Sequence, residues 1–286
     1  MDLTDKKVIK DILTQNKIRP KESFGQNFLT DKNVLEKILH TAKISQKDTV
    51  LEVGPGLGVL TVELSEAANF VITVEADENM AKILKQNIFG VKNVKIVHSS
   101  ILELKEDFFT KLGLYKIVSN LPYNITSIFL RKILTLENKP KEITVMLQKE
   151  IVERICALPG KMSLLALSVQ VYGRPKLEAV VPKTSFWPVP KVDSAILSIK
   201  NIRNKKETAD FLDGILEKDF FRTARIGFSA KRKQLQKNFA NGLHIPQKDA
   251  QKILEKLKID TKARAQELNI EQWKSLAKHC QKFFSQ

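Results

Sequence analysis

Short runs rich in β-branched residues alternate with longer helical patterns from about residue 49 to residue 200. The runs occupy residues 50–54, 70–75, 94–98, 116–119, 142–147, 177–181 and 195–199. Between most of them, apolar residues recur with a helical period. This alternation predicts an α/β fold, with a parallel sheet covered by helices on both faces. Only the segment rich in Pro and Lys at 182–191 separates the last two runs, which are therefore predicted to pair antiparallel.

Beyond residue 204 the strand pattern stops. Helices are predicted over residues 211–216, 219–228, 231–239, 247–257 and 270–284, with Gly, Asn, Pro and Asp between them. We therefore divide the chain into residues 1–204 and a small helical domain at 205–286. Each part carries a net charge of +8, over 204 and 82 residues respectively, so the helical part is more densely basic.

The whole chain of 286 residues has a net charge of +16. So basic a chain favours a polyanionic partner, with nucleic acid preferred over an anionic membrane surface. The two cysteines lie too far apart in sequence for a redox pair and the four histidines stand apart, so no metal site is predicted. No run of 18 apolar residues occurs, and acids and bases mix near the N-terminus. We expect no membrane insertion or export, no transit peptide, and a cytoplasmic protein.

A glycine-rich turn, Gly54-Pro55-Gly56-Leu57-Gly58, follows the first predicted strand and precedes a helical pattern. A strand, a glycine turn and a helix N-terminus in this order are typical of a nucleotide cradle. The next predicted strand ends at Glu75, whose carboxylate can accept hydrogen bonds from both hydroxyls of a ribose. Val59 stands where dinucleotide-binding turns have a third glycine, so the spacing fits S-adenosylmethionine better than NAD. An NAD-type oxidoreductase and a turn that binds nothing are the alternatives.

Residues 120–123, Asn-Leu-Pro-Tyr, follow the predicted strand at 116–119, at the edge of a parallel sheet where ligands bind. The exocyclic amine of adenine is a poor nucleophile because its lone pair is delocalised into the ring. Acceptors from Asn120 and from the backbone carbonyl of Leu121 or Pro122 would favour a pyramidal nitrogen aimed at a methyl group. Tyr123 would stack on a base that is flipped out or lies in a loop. The structural alternative is a proline turn with a half-buried tyrosine.

Further motifs surround these two: KESFGQNFL at 21–29, FWPVPKVDSA at 186–195, FSAKRKQL at 228–235 and ARAQEL at 263–268. Together, and in this order, the motifs resemble the ribosomal RNA adenine dimethyltransferase family over practically the whole chain. The resemblance implies a class I (Rossmann-like) methyltransferase domain that binds S-adenosylmethionine at 1–204, with a basic N-terminal segment. It also implies a small, helical, RNA-binding domain at 205–286.

The resemblance also implies roles at individual positions. The residues expected to bind the cofactor are Asn27, Leu29, Gly54, Gly56, Glu75, Ser100 and Asn120, the last of which would also meet the target amine. Phe186 is similar to the second stacking aromatic of the family, opposite Tyr123, and a core phenylalanine is its structural alternative. Ser100 stands where the family usually has an aspartate, so its hydrogen bond to the cofactor's adenine should be weaker by about 1 kcal/mol.

Basic residues are concentrated between residues 218 and 237, with apolar residues interleaved. The predicted RNA contacts there are Arg222, Arg225, Lys231, Arg232 and Lys233, and a solvated helix face is the alternative.

Within the family, PKVDSA at 190–195 and the basic residues at 231–233 resemble the small-subunit branch. The resemblance therefore implies an enzyme that dimethylates two adjacent adenines in the 3′-terminal hairpin loop of small-subunit rRNA. Its substrate would be a pre-assembled ribosomal particle, and the enzyme would act as a monomer. The alternatives are a large-subunit rRNA methyltransferase of the antibiotic-resistance type, a DNA adenine methyltransferase, and a non-catalytic ribosome-assembly factor.

Overall fold

The computed structural model describes residues 1–21 and 25–284. The chain packs as two compact units, and each combines two stretches of sequence. The first unit comprises Met1–Val152 and Arg174–Ile202, and the second comprises Glu153–Gly173 and Arg203–Gln286. No helix in the described ranges is long and apolar enough to cross a membrane.

The first unit contains all the strands that the structure describes. They are β1 (Phe28–Leu29), β2 (Thr49–Val53), β3 (Phe70–Glu75), β4 (Val94–His98), β5 (Tyr115–Asn120), β6 (Ile143–Gln148), β7 (Arg174–Val181), β8 (Phe186–Trp187) and β9 (Ser194–Lys200). Each of the predicted runs coincides with one of the longer strands. These form a seven-stranded sheet in the order β4-β3-β2-β5-β6-β9-β7, and β1 pairs separately with β8.

The sheet is mostly parallel, as the sequence predicted. Strands β2 to β6 pair in parallel, whereas β9 runs antiparallel to both of its neighbours, β6 and β7. The predicted antiparallel pair at the end of the sheet is thus confirmed. Successive residues of the central strands, such as Val50 and Leu51, are fully buried, because helices cover both faces.

The helices that begin in the first unit follow the strands in an alternating order. They are α1 (Lys6–Gln15), α2 (Lys32–Ala42), α3 (Val59–Ala67), α4 (Glu78–Asn87), α5 (Glu106–Lys111), α6 (Thr126–Thr135) and α7 (Lys149–Ile155), which ends in the second unit. Aspartate side chains cap the first turns of α1, α2 and α4 by accepting backbone N–H groups. One apolar cluster joins α2 and α3 to the sheet, and another packs α1 and α4 around Phe28.

The regular elements that the structure describes in the second unit are all helices. Its helices are α8 (Leu164–Gln170), α9 (Lys205–Phe211), α10 (Glu217–Gly227), α11 (Leu235–Leu243), α12 (Gln247–Lys256) and α13 (Ile270–Cys280). The helix predicted at 211–216 is wrong in position, because a capping box between Asn204 and Glu207 starts α9 at Lys205. The helix predicted at 231–239 begins four residues later. The Asn238 side chain donates to the carbonyls of Gly227 and Ala230, which stabilises a turn there instead.

Residues 153–173 lie with the C-terminal helices, although the sequence placed them in the first domain. The backbone N–H groups of Gly160 and Met162 donate to the carbonyl of Gln266. The Tyr172 hydroxyl donates to Glu217, and its ring stacks on Phe221. These contacts join residues far apart in sequence, so no local pattern could reveal them.

Gly227 offers a test of packing in the second unit. A Cβ at this position would overlap the ring of Trp273. We expect Gly227→Ala to lower the free energy of unfolding by about 1–3 kcal/mol, measured by urea denaturation followed by far-UV circular dichroism. Combined with Trp273→Phe, the loss should be smaller than the sum of the two single losses, because the smaller ring makes room. Additive losses would contradict the overlap.

Candidate active site

The central feature of the site is the point where the order of the sheet reverses, between β2 and β5. Backbone pairing of these strands extends only from Thr49 with Tyr115 to Leu51 with Ile117. Beyond it, the buried Ser119 hydroxyl donates to the Val53 carbonyl at 2.5 Å. The strands therefore separate while remaining tied, and a cleft opens at their carboxyl ends, where open α/β sheets bind ligands.

The glycine turn follows β2 directly and lies against the Asn-Leu-Pro-Tyr segment. Gly54 adopts a φ of 66°, and a Cβ there would lie 3.0 Å from the Pro122 ring. Gly58 has a φ of 93° at the N-terminus of α3, and a Cβ there would lie 2.6 Å from Leu84. Both positions thus require glycine, for backbone conformation and for space. The tight turn thus brings the backbone of residues 54–57 to the edge of the cleft.

A cavity of about 620 Å³ occupies the cleft. This is within the usual range for small-molecule sites. It brings together ten of the residues predicted for the site: Asn27, Leu29, Gly54, Gly56, Glu75, Ser100, Asn120, Leu121, Pro122 and Tyr123. These residues come from several separate parts of the sequence, and the fold places them on one surface.

Glu75 ends β3 on the wall of the cavity. Its carboxylate accepts hydrogen bonds from the backbone N–H of Asp77 at 2.9 Å and of Gly56 at 3.3 Å. Burial raises the pKa of Glu75, and these two hydrogen bonds act in the opposite direction. The side chain is thereby fixed in orientation, as a group that binds ribose hydroxyls must be.

Asn120 and Tyr123 lie at the end of β5 and in the turn that follows. Within the described residues, the Asn120 side-chain amide forms no hydrogen bond, and it lines the cavity. The Tyr123 hydroxyl lies 2.6 Å from the hydroxyl of Ser194 on β9, which holds the ring in place. The Pro122 carbonyl already accepts from Ile125, so the Leu121 carbonyl is the better candidate acceptor for a ligand.

The remaining predicted cofactor residues also line the cavity. The Asn27 side chain donates to the carbonyl of Gly25, and Leu29 is buried in β1. The Ser100 hydroxyl accepts from the backbone N–H of Leu102 at 3.3 Å. One of its acceptor sites is therefore used locally.

Phe186, which the resemblance assigns to stacking on the target base, lies apart from the other predicted site residues. Phe186 is fully buried and does not line the cavity. It pairs with Leu29 across the β1–β8 ladder and packs in the cluster that joins α2 and α3 to the sheet. The ring lies in the apolar core in this structure, so its stacking on a base stays a prediction.

Sequence reasoning missed Glu52, which also lines the cavity. It lies within the buried strand β2 and accepts a hydrogen bond from the Thr61 hydroxyl at 2.6 Å. Burial raises the pKa of Glu52 to about 8, and the nearby Glu75 adds to the rise. A charged residue within an apolar strand pattern was the available signal. Asp77, which hydrogen-bonds to Glu75, was missed as well.

The charge of the cavity wall is one-sided. Three carboxyl groups, those of Glu52, Glu75 and Glu103, line it, and among its described residues there is neither Lys nor Arg. No cluster of potential metal ligands occurs in the described part of the chain. Such a wall suits a cationic ligand and disfavours a phosphate group.

The predicted RNA contacts lie in the second unit. Arg222 and Arg225 lie on α10, and the Arg222 guanidinium stacks 4.2 Å from the centre of the Phe284 ring. Residues 231–233, here named the basic turn, precede α11, and all three are exposed. Neither Arg225 nor the basic turn forms a salt bridge with any described residue, so their charges face solvent.

Known structures share this fold. The chain is similar to a dimethyladenosine transferase from Plasmodium falciparum, with 26% identity and a TM-score of 0.74, over 90% of this chain and 98% of that one. The structure of the 23S rRNA methyltransferase ErmE has a TM-score of 0.69 at 24% identity, over 88% and 98% of the two chains. With the cavity at the β2–β5 reversal, the fold defines a class I, Rossmann-like methyltransferase.

Sequence comparison identifies the family. The model of the family described as ribosomal RNA adenine dimethylase matches residues 15–282. A protein from Dehalococcoides mccartyi named ribosomal RNA small subunit methyltransferase A is 41% identical over 93% of this chain and 90% of its own. A protein of the same name from Streptococcus agalactiae is 37% identical over 97% of each chain. The chain belongs to the ribosomal RNA adenine dimethylase family, and the resemblance drawn from the sequence is confirmed.

The buried Glu52 predicts a distinctive dependence of stability on pH. Its pKa is raised from 4.5 to about 8 in the folded protein. Between pH 4.5 and 8 the carboxyl is therefore protonated when folded and ionised when unfolded, so unfolding releases a proton. Its contribution to stability is complete below pH 4.5 and is lost as the pH rises through 8. Relative to Glu52→Gln, the wild type should lose up to about 1.4 kcal/mol of unfolding free energy per pH unit over this window.

Urea denaturation at pH 5, 6, 7 and 8 measures this difference. Glu36→Gln, which changes an exposed carboxylate on α2, is the matched control and should follow the wild type. Equal pH slopes for the wild type and Glu52→Gln would contradict the assignment of a buried, protonated carboxyl.

Proposed function

We propose that this protein transfers methyl groups from S-adenosylmethionine to the exocyclic amines of two adjacent adenines in the 3′-terminal hairpin loop of small-subunit rRNA. The observation that carries the proposal is the position of Asn120–Tyr123 on the same cavity as Glu75 and the glycine turn. A nucleoside held by Glu75 and a base held at Asn120 would meet within one cleft. The relatives' name, small subunit methyltransferase, supports the choice of rRNA.

The charge of the cavity lining supports S-adenosylmethionine as the ligand. This molecule carries a positive sulfonium and an ammonium group but no phosphate, which matches a wall with carboxyl groups and without Lys or Arg among its described residues. The fixed Glu75 carboxylate can accept from both ribose hydroxyls, and Asn27, which the resemblance assigns to the cofactor, lines the same cavity. The same lining disfavours NAD, whose pyrophosphate would find neither Lys nor Arg among the described residues of the wall.

S-adenosylmethionine, when bound, supplies an electrophilic methyl group, and the chain must prepare the amine that receives it. Asn120 has a side-chain amide without a partner among the described residues, so its carbonyl is free to accept from the adenine amine. The Leu121 carbonyl offers a second acceptor. Two acceptors at the amine weaken conjugation with the ring and orient the lone pair, so these residues act by positioning. No general base is needed before transfer, because the proton leaves afterwards.

Tyr123 would hold the base by stacking. Its hydroxyl is tied to Ser194, and burial raises the pKa of the phenol, so the ring is both fixed and neutral. A base within a duplex could not reach this pocket, which favours a flipped or looped adenine.

The basic residues of the second unit would bind the phosphates of the RNA. Arg225 and the basic turn are exposed and lack salt-bridge partners in the described chain, so contact with phosphate breaks no existing ion pair. We further propose that the enzyme acts as a monomer in the cytoplasm, on a pre-assembled small ribosomal particle. Recognition of a particle would supply the specificity that charge alone lacks.

Methyl transfer to defined substrates tests the function. Labelled S-adenosylmethionine is incubated with unmodified small subunits, large subunits, naked rRNA or duplex DNA, and the modified nucleosides are identified. We expect dimethyladenosine on small subunits, approaching two modified adenines per particle. Label on large subunits or on DNA would instead support an enzyme of the corresponding class. Binding to small subunits without label would indicate an assembly factor.

The role of Asn120 is tested by Asn120→Ala. Loss of the acceptor should lower the rate of single-turnover methylation by about 100-fold or more, as for other positioned groups that act on the reacting centre. Asn33→Ala, at an exposed position on α2, is the control and should retain the wild-type rate. A full rate in Asn120→Ala would contradict the mechanism.

The role of the basic turn is tested by replacing its three residues with alanine. For each phosphate that the variant no longer neutralises, the slope of log affinity against log salt should fall by about 0.7 to 0.9. Binding to small subunits at several salt concentrations measures this slope. A control with Lys248, Lys256 and Lys278 replaced removes the same charge from other exposed positions of the second unit. Equal slopes for the two variants would exclude the basic turn as the phosphate-binding element.

A further inference from the structure

Asp77 lies two residues beyond Glu75 and contacts it directly. The backbone N–H of Asp77 donates to the Glu75 carboxylate at 2.9 Å. The Asp77 side chain is only 3% exposed, and its Oδ1 accepts the backbone N–H of Asn79 at 3.0 Å, which caps α4. The backbone of Asp77 thus fixes the carboxylate assigned to the ribose, and its side chain is available to a different part of the chain.

The second carboxylate oxygen of Asp77 binds the segment that precedes β1. Oδ2 accepts from Lys21 Nζ at 2.9 Å and from Gln26 Nε2 at 3.1 Å. The Gln26 side-chain oxygen in turn accepts the backbone N–H of Lys21 at 2.8 Å. Burial alone would raise the pKa of Asp77, but the hydrogen bonds from Lys21, Asn79 and Gln26 outweigh it and lower the pKa. The Asp77 carboxylate is therefore an anion that accepts a hydrogen bond from each of three donors.

The segment that Asp77 binds also lines the cavity. Gln26 is followed by Asn27, and both line the cavity. Gly25 packs against Pro122 and the backbone of Tyr123, within about 3.7 Å of where its Cβ would be. Asp77 is thereby connected to Glu75 by its backbone and to the neighbours of Asn27 by its side chain.

We infer that Asp77 is a positioning residue of the cofactor site, which holds Glu75 and the Gln26–Asn27 backbone at a fixed separation in the cavity lining. The inference rests on the proposed function, because it takes S-adenosylmethionine as the ligand between these two groups. Asp77 does not touch the ligand in this scheme. It acts indirectly, because a ligand binds best when the protein groups that contact it are already in place before binding.

The chemistry of the three donors explains why an acid is needed. Asparagine at this position would keep Oδ1 and the cap of α4, but it would replace Oδ2 with an NH₂ group. That donor would face Lys21 Nζ and Gln26 Nε2, which are donors themselves, so neither hydrogen bond could form. Asp77→Asn therefore removes the link to the N-terminal segment while leaving the helix cap.

Binding of S-adenosylhomocysteine by calorimetry provides the test, without turnover. We expect Asp77→Asn to weaken binding about tenfold, since it removes two charge-assisted hydrogen bonds that preorganise the site. Adding Gln26→Glu places a carboxylate oxygen opposite the new NH₂ group. The hydrogen bond can then form again, with residue 77 as the donor and residue 26 as the acceptor. The double variant should therefore bind within about threefold of the wild type.

Asp31→Asn is the matched control, since Asp31 caps α2 in the same way and its other oxygen accepts from the Ser185 hydroxyl at 2.8 Å. That hydroxyl can turn to accept from an amide, so binding should be unchanged. Melting temperatures without ligand are measured in parallel.

Wild-type affinity in Asp77→Asn would overturn the inference and leave the proposed function intact. Weaker binding together with a lowered melting temperature, and no recovery of affinity in the double variant, would also overturn it and indicate a purely structural role. A wild type that fails to bind S-adenosylhomocysteine would instead overturn the proposed function, and the inference with it.

Discussion

The hydrogen bond from Ser119 to the Val53 carbonyl joins β2 and β5 where their backbone pairing has ended. The site depends on this arrangement, because the glycine turn follows one strand and Asn120 ends the other. A fully paired sheet would leave no cleft, and unlinked strands would leave a buried carbonyl without a donor. The tie keeps the strand ends close enough for Pro122 to pack on Gly54 and far enough apart to hold a ligand.

The protein presents acidic groups in one place and basic groups in another. Carboxyl groups line the cavity, whereas the exposed residues of α10 and the basic turn are cationic. The first pattern suits a sulfonium and the second a polyanion, as a methyltransferase for RNA requires. The buried acids are not equivalent. Burial dominates at Glu52 and raises its pKa to about 8, whereas hydrogen bonds dominate at Asp77 and lower its pKa. Asp77 can thus act as an anionic anchor.

Much of the fold could be predicted because the signals are local. The central strands were found because β-branched runs buried on both faces have a distinctive composition. The predicted positions of the helices at 205–211 and 235–243 are wrong by several residues. Their starts depend on side-chain hydrogen bonds, one that Asn204 accepts and others that Asn238 donates. The spacing of apolar residues does not reveal such hydrogen bonds. The assignment of 153–173 to the second unit depends on contacts across about a hundred residues of sequence and was not predictable from any segment.

The order of the chemical groups follows from the amino-acid sequence alone: the glycine turn, Glu75 and Asn120 each follow or end a strand, so parallel pairing must bring them to one edge of the sheet. The side chains that support these groups are known only from the folded chain. Phe186 occupies the core because β8 pairs with β1, and Asp77 connects Glu75 with Gln26 because the segment before β1 returns to the start of α4. Burial and hydrogen bonds between distant residues arise when the chain folds, and the sequence pattern does not contain them.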